Sequence, residues 1–257
     1  MYKRQDNTAL GTASLYPNTT GASNTGVGSA SLRLNTTGSY NTAVGQAALY
    51  SNTTASQNTA VGYQALYANT TGTDNTVVGK GAGDSITTGA GHVLIGEATG
   101  TSITTNNHNT FVGRNVGTST TGGQNTFVGC SNGSTGSTGH YITTGTKNTI
   151  IGAFSGNQDG LDIRTSSNNI VLSDGDGNPR VQVNGNGTLV TYRPTSTATD
   201  DLVKVLSDNG GTRTNKLIIE GNGDVRNGTG SYAAFSDQAL KENIVNANSQ
   251  WEDIKSI

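Results

Sequence analysis

Large apolar side chains, charge and cysteine are all scarce in this chain of 257 residues, which is 31% hydrophobic, 5% aromatic and 12% charged, with one cysteine. The hydrophobic shortfall excludes an ordinary globular domain of this length, whose core needs far more large apolar side chains. A formal net charge of -2 leaves no basic stripe for nucleic acid and no polybasic patch for a membrane surface. No apolar run approaches bilayer-spanning length, so membrane insertion is not expected. The lone Cys130 excludes an intrachain disulfide and argues against structural zinc; beside Gly129 it reads as a small apolar filler. His92, His108 and His140 stand singly, as solvated or ladder residues rather than a metal site. Neither metal nor cofactor is expected.

What the chain has instead is 37 glycines and a five-residue word, Asn-Thr-x-Val-Gly or a near relative. The word begins at Asn7, Asn24, Asn41, Asn58, Asn75, His92 and Asn109, a step of 17 residues six times running. The spacing then loosens to Asn125 and Asn148, with a worn copy near Asn168. Disordered low-complexity sequence has no reason to return Val or Ile to one phase, so the pattern predicts an all-β, parallel β-solenoid or β-roll of 17-residue coils. In the coil that starts at Asn58, the word forms one short strand and Ala65-Leu66-Tyr67 is expected to form a second, before a turn at Asn69-Thr70-Thr71-Gly72. Stacking at about 4.8 Å per coil gives a rod of roughly 45 Å for some nine coils. Leu15, Leu32, Leu49 and Leu66 would form an apolar ladder, and Asn7, Asn24, Asn41, Asn58 and Asn75 an amide ladder.

Two drifts run along the array. The third word position grows from Ala9, Gly26, Ala43 and Ala60 through Val77 and Leu94 to Phe111, Phe127 and Ile150. The Leu phase meanwhile becomes Gly83 and Gly100, while the Asn phase three places later becomes Ile86 and Ile103, so an apolar contact has moved rather than vanished. The thickening third-position face is expected to lie toward a three-fold axis shared with two further copies of the chain, which would supply the burial one thin rod lacks. The repeat resembles the Asn-Thr-Ala-Val-Gly arrays of phage tail fibres and, more loosely, the stacked coils of trimeric autotransporter adhesin heads.

Charges, sparse from Asn24 to Gly152, become common from Ala153 onward, which marks a domain change. Residues 6–152 read as the repeat array, 153–235 as a small β-rich domain and 236–257 as the start of a further domain. Tyr2-Lys3-Arg4-Gln5 reads as translated sequencing adapter, so 1–5 are expected to be an artefact. The β words Asn169-Ile170-Val171-Leu172, Arg180-Val181-Gln182-Val183, Thr188-Leu189-Val190 and Lys216-Leu217-Ile218-Ile219 are divided by Gly-Asn-Gly turns, which predicts hairpins. Asp174, Asp176 and Asn178 have calcium-loop spacing, but Pro179 replaces the required Gly and Gly185 the bidentate Glu, so a plain turn is expected. The Thr pairs at Thr19-Thr20, Thr36-Thr37, Thr53-Thr54 and Thr70-Thr71 have a regularity that would suit ice or carbohydrate, yet read first as a solvated turn ladder. No carboxylate pair suits glycoside hydrolysis, since Asp200 and Asp201 are adjacent.

The last motif is Ser236-Asp237-Gln238-Ala239-Leu240-Lys241-Glu242-Asn243-Ile244. A serine hydroxyl becomes a nucleophile when a base takes its proton, and a lysine of lowered pKa can be that base; Ser236 could equally cap a helix starting at Asp237. The motif resembles the Ser-Asp-x-x-Leu-Lys-x-Asn-Ile junction that opens the intramolecular chaperone auto-processing domain of phage tail fibres, tailspikes and endosialidases. The resemblance implies that Ser236 attacks the preceding carbonyl and breaks Phe235-Ser236, with Lys241 as base, in one self-directed turnover. It further implies a homotrimer, a short helix around Trp251, a virion location and a host surface glycan or protein as receptor. Only 22 residues follow the cut, Ser236 to Ile257, so the domain is expected to be truncated and the fragment inactive. A bacterial surface adhesin is the alternative reading.

Overall fold

The computed structural model of the chain describes residues 6–130, 136–191, 201–209, 212–220 and 225–226. These residues are all β and turn, with no helix among them. Nine three-residue strands repeat along the array: β1 Thr8–Leu10, β2 Thr25–Val27, β3 Thr42–Val44, β4 Thr59–Val61, β5 Thr76–Val78, β6 Val93–Ile95, β7 Thr110–Val112, β8 Thr126–Val128 and β9 Thr149–Ile151. Each pairs in parallel with the next, word against word, as in Thr59↔Thr76, Ala60↔Val77 and Val61↔Val78. This is the parallel β-solenoid that the 17-residue period predicts. The dropped residue before Asn125 and the longer coil before Asn148 leave the strand register intact, because β7↔β8 and β8↔β9 still pair word to word.

The coil differs from expectation in having one strand, not two. Ala65-Leu66-Tyr67 is a turn. Gln64 and Leu66 both have left-handed backbones, at φ 54° and 55°, and a strand cannot pass through that region. Leucine tolerates this conformation poorly, and from the fifth coil the same phase is Gly83, Gly100, Gly117 and Gly139, at φ 54° to 66°. The word-final glycine has a different reason. A Cβ on Gly62 (φ 136°) would lie 2.5 Å from the carbonyl oxygen of Gly79 in the next coil, so these glycines stack as a column that admits no side chain.

The third word position points into the coil. Ala43, Ala60, Val77, Leu94, Phe111, Phe127 and Ile150 are fully buried within a single chain, so this row is not the face toward a three-fold axis. The two drifts are instead one volume balance across the interior. Small Ala43 and Ala60 share the core with Leu32, Leu49 and Leu66. Where Leu94 enters, the opposite phase has shrunk: a Cβ on Gly83 would meet Leu94 Cδ1 at 2.9 Å and Ile86 Cδ1 at 3.0 Å. Where Phe111 and Phe127 enter, stacked at 4.7 Å, their rings lie against Gly117 and Gly139. Ile86 and Ile103 are fully buried, as a displaced apolar contact requires. Interiors this dense tolerate no unbalanced change in volume.

Polar ladders close and stack the coils. Each word-initial Asn donates Nδ2–H to a carbonyl on its own coil, as Asn58 does to Gly72 at 2.9 Å, and accepts at Oδ1 the backbone N–H of the next Asn, Asn75, at 3.0 Å. The side-chain amides also bond along the stack, Asn75 Nδ2 to Asn58 Oδ1 at 3.0 Å. A second amide ladder, Asn18, Asn35, Asn52 and Asn69, ends where the fifth rung substitutes Ile86, and Asn69 Oδ1 is buried without a partner.

After β9 come the short antiparallel pair β10 Asn157–Gln158 and β11 Leu161–Asp162, then β12 Ile170–Ser173, β13 Pro179–Val183 and β14 Leu189–Thr191. Strand β12 pairs in parallel with β9, and β13 and β14 follow as antiparallel hairpins, so one twelve-stranded sheet runs from β1 to β14. At this end Gln182 Nε2 donates to Asn169 Oδ1 at 3.1 Å and caps the amide ladder. The chain forms two compact units, residues 1–192 and 193–257. Within the second, β15 Asp201–Asn209, β16 Thr212–Glu220 and β17 Val225–Arg226 form an antiparallel sheet.

Candidate functional site

Ser236 and Lys241, the Phe235-Ser236 bond, the helix expected near Trp251 and the adapter-like residues 1–5 lie outside the described residues. The other predicted positions are described. Asp174, Asp176 and Asn178 form the plain turn expected. Asp174 Oδ1 accepts the backbone N–H groups of Asp176 at 3.1 Å and Asn178 at 2.9 Å, and its other oxygen takes Asn178 Nδ2 and the Arg180 guanidinium. Partial burial works to raise the Asp174 pKa, and the bonds from Asn178 and Arg180 outweigh it, so the carboxyl sits below its usual range. Arg180 thus supplies the positive charge that a cation would bring.

No group of three metal-ligating side chains occurs among the described residues. His92 occupies an Asn position of the ladder and performs the work of the amide. Its Nδ1 accepts the Asn109 backbone N–H at 3.1 Å, so the ring proton is on Nε2, which donates to the Asn106 carbonyl at 2.7 Å. Burial of the ring, helped by His108, lowers its pKa to about 4. His108 is an exposed turn residue with φ 60°, and His140 pairs with Thr118 Oγ1 at 2.6 Å. Cys130 is exposed, which corrects its reading as a filler: it follows the word-final Gly129 at the position where other coils carry the exposed Lys80, Glu97 and Arg114.

In the Thr turns, the first hydroxyl of each pair is committed to the stack. Thr36 Oγ1 donates to the Thr53 carbonyl at 3.0 Å, and Thr53, Thr70 and Thr87 repeat the bond. The second, as at Thr37, Thr54, Thr71 and Thr88, is exposed. On an adjoining ridge Glu97 bridges Lys80 and Arg114 at 3.5 and 3.1 Å, and the hydrogen bond from Arg114, with Lys80 beside it, holds the Glu97 carboxyl below its ordinary range. An open cleft of about 360 Å³ is lined by Asn106, Asn107, His108, Gly123, Gln124 and Thr146.

The outer face of the parallel sheet runs the length of the array. With the third position inward, the second and fourth point out, giving one row of Thr and one of Val or Ile. In the second row Leu10 is 67% exposed, Ile95 40%, Val128 37% and Ile151 49%. Sequence reasoning passed over this row. Its signal is constancy: the fourth position stays Val or Ile from Val27 to Ile151 while the third ranges from Gly to Phe, and a side chain indifferent to the changing interior lies outside it.

No protein-family model, curated protein or solved structure matches this chain. Among the described residues no helix is long and apolar enough to cross a membrane.

Proposed function

We propose that the chain is a structural, host-recognition segment of a trimeric phage tail fibre, followed by a chaperone domain that drives trimerisation and cuts itself free before Ser236. The observation that carries the reading is the order of parts: an uninterrupted parallel stack, Thr8 to Leu172, upstream of the nine-residue Ser236–Ile244 motif. A fibre must transmit position over a distance with little material. A stack in which every rung is held by strand pairing, an amide ladder and a Thr ladder suits that task. Its described surface includes long ridges and flat rows, which suit display on a virion. Two further copies of the chain and a glycan or protein on the host surface are its partners.

In this reading the Ser236 hydroxyl adds to the Phe235 carbonyl as Lys241 accepts its proton, the Phe235–Ser236 C–N bond breaks as that proton passes to the leaving Ser236 amine, and water hydrolyses the resulting ester to leave a Phe235 carboxylate and a free Ser236 hydroxyl. The test is denaturing mass spectrometry of the gene expressed in its full genomic extent, beside Ser236→Ala and Lys241→Ala. Wild-type product ending at Phe235, with both variants whole, supports the reading. An uncut wild-type chain overturns the processing step and returns Ser236 to the role of a helix cap.

A further inference from the structure

We infer that the outward Thr and Val/Ile rows of the parallel sheet are the surface on which copies of this chain meet, side by side with their rungs level. The inference rests on the reading of the chain as a self-associating fibre and assigns the contact to a face. The third-position row is closed off inside the coil. Five exposed apolar side chains of the array, Leu10, Val44, Ile95, Val128 and Ile151, are 37% to 67% exposed and stand one above another on the sheet at the same phase of the repeat, whereas Tyr16, Leu34, Tyr40, Tyr63 and Tyr141 are exposed singly outside the strands. Between them Val27, Val61, Val78 and Val112 are partly exposed.

Three properties separate this strip from an ordinary solvated sheet face. It bears no charge in any of its nine rungs: the Thr row is interrupted only by Val93, and the other row is Leu, Val or Ile throughout. Sheet faces and edges kept for solvent are usually guarded by Lys, Glu or Pro. It is also rimmed by polar ridges, Lys80, Glu97 and Arg114 beyond the word-final glycine and Tyr40, Asp74 and Lys147 before the word-initial Asn, and apolar ground inside a polar rim is the anatomy of a protein contact. Finally, it is large enough. Nine rungs at about 4.8 Å and a width of about 15 Å give on the order of 600 Å², one partner's share of a small specific interface.

The regularity of the strip selects the occupant. To fill grooves between methyl rows that recur every 4.8 Å or so over about 40 Å, a partner must carry side chains at that same rise. A second stack of the same coils does so along its whole length, and β-branched rows of two facing sheets interdigitate as dry layers. An unrelated globular surface would match only a few rungs.

The test uses the full chain. Light scattering after size-exclusion chromatography compares wild type with Val61→Glu/Val78→Glu and with the turn control Thr54→Glu/Thr71→Glu, with far-UV circular dichroism on each. The expected result is a multiple of the single-chain mass for wild type and control, and the single-chain mass with an unchanged β spectrum for the Val pair. A second arm places Cys at position 61 or at position 54 in a Cys130→Ser background and adds a short bis-maleimide. Val61→Cys should link two chains at least tenfold faster than Thr54→Cys. A multimeric wild type whose Val variant stays multimeric, or whose position 61 fails to link, overturns the face and leaves self-association standing. A monomeric wild type overturns both.

Discussion

Acidification should loosen the rod at one rung, because His92 can serve as a ladder residue only while its ring is neutral. Protonating Nδ1 would put an N–H where the Asn109 backbone N–H already points, replacing a 3.1 Å bond with two facing donors. The folded pKa, about 4, lies below the ordinary imidazole value of 6.5. A depressed histidine pKa means the unfolded chain binds the proton more readily, so stability is fully present above pH 6.5 and is lost as pH falls toward 4. Each unit is worth about 1.4 kcal/mol, which makes the full loss about 3 kcal/mol. For a unit of this size that corresponds to a fall of roughly 10 °C in Tm. Carboxyl groups also contribute to the acid response: burial raises the Asp84 pKa, while the hydrogen bonds from Arg114 and Arg164 lower those of Glu97 and Asp162. The control is therefore His92→Asn, which restores the amide of the neighbouring rungs and leaves every carboxylate in place. Thermal melts followed by circular dichroism between pH 7.5 and 4 should show the variant within a few degrees of wild type at pH 7.5 and clearly above it at pH 4. Parallel pH profiles for the two proteins would refute the reasoning.

Three further outcomes follow from the packing. Asn58→Ala strands the Asn75 backbone N–H and the Gly72 carbonyl inside the stack and should cost about 3 kcal/mol or more in urea unfolding. Gly83→Leu drives a side chain into Leu94 and Ile86 and should cost about 2 kcal/mol or more. Combined with Leu94→Ala it should cost less than the sum of the two single changes, a coupling that a double-mutant cycle reads directly. Because Arg180 already occupies the Asp174 carboxylate, millimolar calcium or EDTA should leave the melting temperature unchanged.

The period, the parallel stacking and the positions of the strands were legible because a coil of fixed length returns each residue type to a fixed height. Asn58 and Thr59 announce their rung whatever lies between. What could not be read from any single coil was which side is inside. The growth from Ala60 to Phe111 looks the same whether the row thickens toward a neighbour or toward its own core. The deciding clue was the partner drift, Leu66 to Gly83 to Gly117: two opposed changes of volume at two phases of one coil have to share a closed space, since a lateral contact would leave the second phase free. The missing second strand had a clue of the same kind. A phase that holds Leu in four coils and Gly in the next four is asking for a left-handed backbone, and the apolar character of Ala65-Leu66-Tyr67 disguised it. The Ser236–Lys241 reading, by contrast, rests on nine consecutive residue identities alone. The consequence is a division of labour along the chain: the array tolerates only compensated substitutions, while its outward Thr and Val/Ile rows answer to no internal constraint. The fourth position stays Val or Ile over the eight rungs from Val27 to Ile151 while the interior changes, and the contact with another copy inferred above would give that constancy a cause outside the coil.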